Sequence, residues 1–307
     1  MATPLPALPA ESSQWDQALY AFLVEKGNRS GSRRTVESYG RMLWRFFKGT
    51  TPDQVTPAVV LACAHGIGLS GKPPSPVTIG ARIACLSSYF RFLIRMGLVT
   101  SNPCDLVERP RQSPSPARGY SADEVRRILD VVPDSIQGRR DRAILLVFIL
   151  TGRRRSEVMD LKASDITIED STVYYTYRGK GGKRGRRELP RPAWEAIRRT
   201  LGDCDKAIAT MDPEESLWQA GAGPRGLSGS TFYARFRRYL FATGLQPTGL
   251  HILRHSAAKL RRDAGESVET VSAFLDHSSL AVTTTYLRRL EGVEDLSWER
   301  VAEAIGV

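Results

Sequence analysis

The sequence predicts a mainly α protein of two domains, with a small antiparallel β-sheet confined to the second. Three observations carry this. Apolar residues recur at helical spacing through the first hundred residues, with no convincing strand among them. A proline- and arginine-rich stretch, ERPRQSPSPARG at 108–119, interrupts the pattern with a composition that bars regular hydrogen bonding. Short β-rich segments that alternate in polarity appear only after it, at 166–169, 173–177 and 187–189.

Each element follows in order. Residues 1–11 are rich in Pro and Ala and are expected to be unstructured. From Ser12 a helix places Trp15, Leu19, Phe22 and Leu23 on one face and stops at the polar GNRSGSRR. A second helix from Thr35 turns Tyr39, Leu43, Phe46 and Phe47 inward and Arg41, Arg45 and Lys48 outward. A shorter segment follows Pro57. Val77 to Met96 then reads as a long helix with Ile79, Ile83, Leu86, Phe90 and Leu93 spaced for burial. Residues 12–107 thus form a helical domain, 108–119 a linker, and 120–307 a second domain whose first helix opens at Ser121-Ala-Asp-Glu124 with a capping-box pattern.

Composition narrows the class. A chain of 307 residues, 41% hydrophobic, has enough apolar material for one large or two ordinary cores. The longest apolar run, Ala143 to Leu150, is far short of the roughly 18 residues of a membrane span, so no membrane partner is expected. The first residues lack the basic and apolar regions of a secretory signal, which predicts a cytoplasmic protein. Cys63, Cys85, Cys104 and Cys204 are scattered, without metal-ligand or disulfide spacing. With 44 Lys+Arg against 33 Asp+Glu the net charge is +11, which favours a polyanion. Charge alone leaves nucleic acid and a merely solvated basic surface equally open.

Three stretches carry chemistry. In LTGRRRSEVMDLKASDI, residues 150–166, an apolar helix ends at Thr151-Gly152 and a new one starts with arginines. Cations are disfavoured at a helix start, a cost that makes sense if an anion is received there; the alternative is three exposed arginines. In YRGKGGKRGRRELP, residues 177–190, Lys180 sits between glycines at a hairpin tip, either as a solvated basic turn or as a lysine reaching into a DNA groove. In HILRH, residues 251–255, His251 and Arg254 share one helical face; LDHSS at 275–279 and Tyr286 in VTTTYLRRL follow.

Taken together, T-G-x-R-x-S-E, G-K-G, H-x-x-R-H, L-x-H-S-S and T-x-x-Y, in that order across residues 151–286, resemble the tyrosine recombinase (phage integrase) family, in its simple Xer-like two-domain form. The resemblance implies a two-domain DNA clamp, with 12–107 similar to the family's SAM-like core-binding domain and 120–307 to its catalytic domain. It nominates Arg154, Lys180, His251, Arg254 and His277 as catalytic and Tyr286 as nucleophile, with Lys183 as the alternative loop lysine. Two departures stand out. Arg153 and Arg155 flank Arg154 where the family carries apolar residues, and Asp276 precedes His277 where it commonly has glycine.

The implied activity is site-specific recombination or integration through a covalent 3′-phosphotyrosine, with no ATP, metal or other cofactor. A phenol is only about 0.1% ionised at neutral pH, so a base such as His251 and the charges of Arg154 and Arg254 would have to assist it. Lys180 would protonate the departing 5′ oxygen and His277 would bond a non-bridging oxygen. The expected partner is double-stranded DNA, held by Arg33, Arg34, Arg41, Arg82, Arg91, Arg111, Arg118, Lys183, Arg235 and Arg238. The expected assembly is a tetramer on DNA and a monomer in free solution. The amphipathic tail, with Leu296, Trp298, Val301, Ala302 and Ile305, would dock either on its own domain or on a neighbouring protomer. With little before Ser12, no arm-binding domain is expected. A catalytically silent DNA-binding protein of the same fold and a type IB-like topoisomerase are the alternatives.

Overall fold

Small polar residues start most of the helices, as their side-chain oxygens satisfy N–H groups that have no intrahelical partner. The computed structural model describes residues 12–68, 71–111, 119–179, 184–219 and 226–276. The chain divides into two compact units, Met1–Pro114 and Ser115–Val307.

In the first unit, helix α1 (Gln14–Ser30) opens with a reciprocal bond pair between Ser13 and Asp16. It runs through the polar GNRS where the sequence suggests a stop, and ends only at Gly31, whose φ of 59° suits glycine. Gly27 lies buried inside the helix, where an added Cβ would come within 3.3 Å of Val36 Cγ2, so close packing outweighs its poor propensity. Helix α2 (Arg33–Phe46) starts two residues before Thr35, because Ser32 caps the Thr35 N–H. Helix α3 (Pro57–His65) and helix α4 (Pro76–Arg95) each begin at a proline behind a Thr or Ser cap.

Helix α4 buries all five positions expected of it, Ile79, Ile83, Leu86, Phe90 and Leu93. Phe22 packs its ring 5.2 Å from Tyr89 and 5.5 Å from Phe92, joining α1 to α4. By length and composition α4 is apolar enough to cross a membrane, although Arg82 and Arg91 interrupt it and no uninterrupted apolar span is present in the sequence. Its apolar face instead forms the centre of this unit's core.

The second unit contains α5 (Ala122–Asp130), α6 (Ile136–Thr151), α7 (Arg155–Met159), strands β1 (Ile166–Glu169), β2 (Thr172–Arg178) and β3 (Arg184–Glu188), then α8 (Arg191–Gly202), α9 (Gly229–Ala242), α10 (His251–Asp263) and α11 (Val268–Phe274). The capping box at Ser121 and Glu124 is formed. Helix α6 lies at the centre, packed on α8 and α10, with Ala143, Ile144, Val147 and Phe148 buried. It begins well before its apolar run, because the buried carboxylate of Asp141 is satisfied by Tyr239 Oη at 2.6 Å and by Arg235 Nε, both on α9.

The sheet has the order β1-β2-β3, antiparallel throughout. Strand β3 lies earlier than the expected 187–189. Its basic RGRRE carries no apolar alternation to mark it, and hairpin pairing sets its extent, with Tyr177 opposite Gly185 and Tyr174 opposite Glu188. Leu189 lies just beyond, donating its N–H to Val173 O at 2.7 Å.

Candidate active site

The site is assembled around the end of α6. Gly152 caps that helix in the left-handed region, φ 61°, and its N–H bonds Phe148 O at 2.9 Å. A Cβ there would lie 2.6 Å from Phe274 Cε1 and 2.9 Å from Leu275 Cδ2. Only glycine lets the end of α11 press against this turn. The Thr-Gly pair of the motif is therefore a packing requirement as well as a helix stop.

The three arginines that follow diverge. Arg153 turns inward and is 1% exposed, donating to Thr151 O at 3.1 Å, to Phe274 O and to the carboxylate of Asp276. Arg155 is exposed. Arg154 stands between them as the residue before α7, its N–H bonded to Glu157 Oε2 and its Nη1 to Glu157 Oε1, both at 2.8 Å. Because α7 has only five residues, little helix dipole opposes a cation there. The buried Glu157 carboxylate, rather than a helix-bound anion, accounts for the position of Arg154.

Helix α10 supplies the next two groups. Arg254 is 2% exposed, and its Nη1 and Nη2 donate to Gly152 O at 2.7 Å and Leu275 O at 2.6 Å. It thereby ties the turn before Arg154 to the end of α11. His251, one turn earlier, keeps an exposed edge and packs edge-on to His255 at 4.7 Å between ring centroids. Loss of hydration, and then the charges of Arg254 and Arg154, push its imidazole below the ordinary histidine range. His251, Arg254 and Arg154 thus share one electrostatic neighbourhood, although His251 and Arg154 come from segments nearly one hundred positions apart. Such a base stays neutral near pH 7 beside two fixed cations.

The sequence reading missed Tyr177 and Arg187 among the residues that hold this site, and gave no structural role to Arg153, noted as a departure, or to the motif's Glu157. Asp276, noticed only as a departure, is where three of their contacts meet. It accepts from Arg153, from Tyr177 Oη and from Arg187 Nη2, the last at 2.7 Å. Burial pushes its carboxyl up, but the hydrogen bonds from Tyr177 and Arg187 and the charge of Arg153 outweigh that and leave it at about 2. Buried Arg153 has no periodic signal to betray it. Lys180, Lys183, Arg118, His277 and Tyr286 lie outside the described residues.

The expected DNA contacts fall into two groups. Arg34, Arg41, Arg91, Arg111 and Arg238 are exposed, as is Arg33, which pairs with Glu37 at 2.7 Å. Arg91 lines a depression with Lys26, Arg29, Arg95 and Arg109; the i,i+3 spacing of Lys26 and Arg29 on α1 and the i,i+4 spacing of Arg91 and Arg95 on α4 were the signal to follow. Arg82 and Arg235 hold the fold instead. Arg82 Nη1 donates to the carbonyls of Cys63, Ala64 and Gly66 at the C-terminal end of α3, where helix carbonyls run short of intrahelical donors. Arg235 binds Asp141 and, at 2.9 Å, Gln137 Oε1.

Comparison with known proteins places the chain in a family and a fold. Residues 120–292 match the profile of the phage integrase family. Tyrosine recombinase XerC of Alcanivorax borkumensis is 29% identical over 286 residues, covering 91% of each chain. The XerC of Syntrophus aciditrophicus is 31% identical over 231 residues, 71% of this chain and 73% of that one. Among solved structures, a lambda integrase tetramer bound to a Holliday junction superposes with a TM-score of 0.68 at 20% identity, covering 94% of this chain and 81% of that one. XerH recombinase bound to its difH substrate, in a post-cleavage complex, gives 0.62 at 17% identity over 98% and 91%. The fold is that of the tyrosine recombinases. The chain belongs to the phage integrase family and is a site-specific tyrosine recombinase.

Proposed function

We propose that this recombinase cuts and rejoins duplex DNA one strand at a time through Tyr286, in the cytoplasm, as a tetramer assembled on DNA from protomers that are monomeric when free. The observation that carries the chemistry is buried Arg254, tied to the turn before Arg154, with both charges bearing on a histidine whose pKa is lowered first by desolvation and then by them. Two guanidiniums at one place suit the equatorial oxygens of a pentavalent phosphorus, where charge builds up in the transition state. In the cleavage step the Tyr286 phenol oxygen attacks phosphorus and gives its proton to His251. The bond to the 5′ oxygen breaks, and Lys180 protonates that oxygen as it leaves. His277 would hydrogen-bond a non-bridging oxygen. The product is a 3′-phosphotyrosyl ester and a free 5′ hydroxyl. One ester replaces another, so the bond needed for rejoining is kept and the reverse attack by a 5′ hydroxyl reseals the strand.

The DNA would lie across the exposed arginines, with Arg91 and the neighbouring cations of its depression bonding phosphates. The solved lambda integrase tetramer on a Holliday junction supports a four-protomer assembly. The test is denaturing electrophoresis of the protein with a nicked suicide duplex carrying the site it selects from a randomised pool. The native chain forms a covalent band and Tyr286→Phe binds the DNA but forms none. A covalent band that survives Tyr286→Phe refutes the nucleophile assignment.

A further inference from the structure

Two departures from the family pattern, an arginine at an apolar position and an aspartate at a glycine position, touch each other. From this we infer that Asp276, with Arg153 as its buried counter-charge, is a positioning residue that fixes the β2–β3 hairpin, and so the lysine at its tip, against the segments carrying Arg154 and Arg254. The inference rests on the proposed chemistry.

Asp276 has φ 51°, a conformation in which glycine is favoured and aspartate only tolerated. What its side chain gains there is a set of three donors from three segments. Tyr177 on β2 stands three residues before Lys180, and Arg187 on β3 stands seven after it. Arg153 lies beside Arg154. Arg187 Nη2 also bonds Ala273 O at 2.8 Å, which gives the hairpin a second hold on the end of α11. Tyr177 can cross β3 to reach Asp276 because Gly185, its partner in the register, has no side chain; a Cβ there would collide with the Tyr177 ring. Arg153 stacks its guanidinium 4.5 Å from the same ring. Both strands leading to the lysine are thus clamped by one carboxylate, and that carboxylate is anchored by a cation that has no access to water. The two departures compensate each other: either alone would leave a charge or a strained backbone without its reason.

A clamp on the hairpin acts on protonation of the leaving oxygen, and that predicts a chemical signature. The experiment measures single-turnover adduct formation by the full chain on the suicide duplex, and on the same duplex with sulfur in place of the leaving 5′ oxygen. A thiolate leaves without needing a proton. Asp276→Asn slows cleavage of ordinary DNA about 10²-fold, the scale of a misplaced catalytic group, and most of that loss disappears on the sulfur substrate. R153L/D276G is faster than either Arg153→Leu or Asp276→Gly alone. Tyr177→Phe, which removes one hydroxyl, gives a weaker form of the same pattern and serves if the Asp276 variants fail to fold. Equal slowing on both substrates, unchanged rates, or multiplying defects in the double variant would each overturn the inference. If the native chain forms no adduct on either substrate, the recombinase chemistry itself falls; a native adduct with indifferent variants removes only the positioning role.

Discussion

Arg254 Nη1 donates to the carbonyl oxygen of Gly152 at 2.7 Å, across 102 positions of sequence. This bond fastens the one buried arginine of α10 to the turn from which Arg154 emerges, and its companion to Leu275 O fastens the end of α11. The relative positions of the candidate catalytic groups therefore depend on a glycine that reacts with nothing.

Gly152→Ala places a methyl group 2.6 Å from Phe274 in a backbone region that alanine avoids. Strain of about 1 kcal/mol and overpacking of about 1–3 kcal/mol add, so chemical denaturation is expected to show a loss of about 2–4 kcal/mol. Adduct formation should fall further than the loss of folded protein explains. A native-like rate in this variant would disconnect the turn from the site.

His251 titrates below 6.5 because it is partly desolvated and faces two cations. A lowered pKa keeps the ring neutral to lower pH, so the cleavage rate should hold through neutrality and fall only as pH drops through that depressed value. Arg154→Gln removes one charge and leaves the desolvation, so the ring titration, followed by proton NMR, moves part of the way back up. A downward or absent shift would show that Arg154 does not bear on His251.

The cations separate by what they touch. Arg82→Ala removes one donor shared by three carbonyls at the end of α3 and should cost about 1–3 kcal/mol in denaturation. Arg235→Ala weakens the neutralisation of fully buried Asp141 and should cost about 3 kcal/mol. Exposed Arg91→Ala should leave stability unchanged and reduce the slope of log affinity against log salt by about 1, measured by DNA binding at several salt concentrations. A large stability loss in Arg91→Ala would place it with the structural group.

Much of the fold and part of the site were legible in the amino-acid sequence, for reasons local to the chain. Capping at Ser121, burial along α4 and the adjacency of His251 and Arg254 follow from periods of three to four residues and from hydrogen bonds that close within one turn. The motif order nominated the candidate residues for phosphoryl transfer. Where the sequence reading slipped, as with β3 and the end of α1, the deciding contact lay in a partner strand or a neighbouring helix.

By itself, the sequence determined the helical class, a division of the chain within 108–119, the net basic charge and the candidate site residues, because each is written in composition or in spacing along one segment. Only the tertiary structure decided which of three consecutive arginines bears electrostatically on His251, which cations are consumed by carbonyls and carboxylates, and that Arg153 and Asp276 belong together. Those outcomes depend on burial and on charges brought close by folding, and an ion pair between a buried arginine and a partly exposed aspartate 123 positions away leaves no period in the sequence to read.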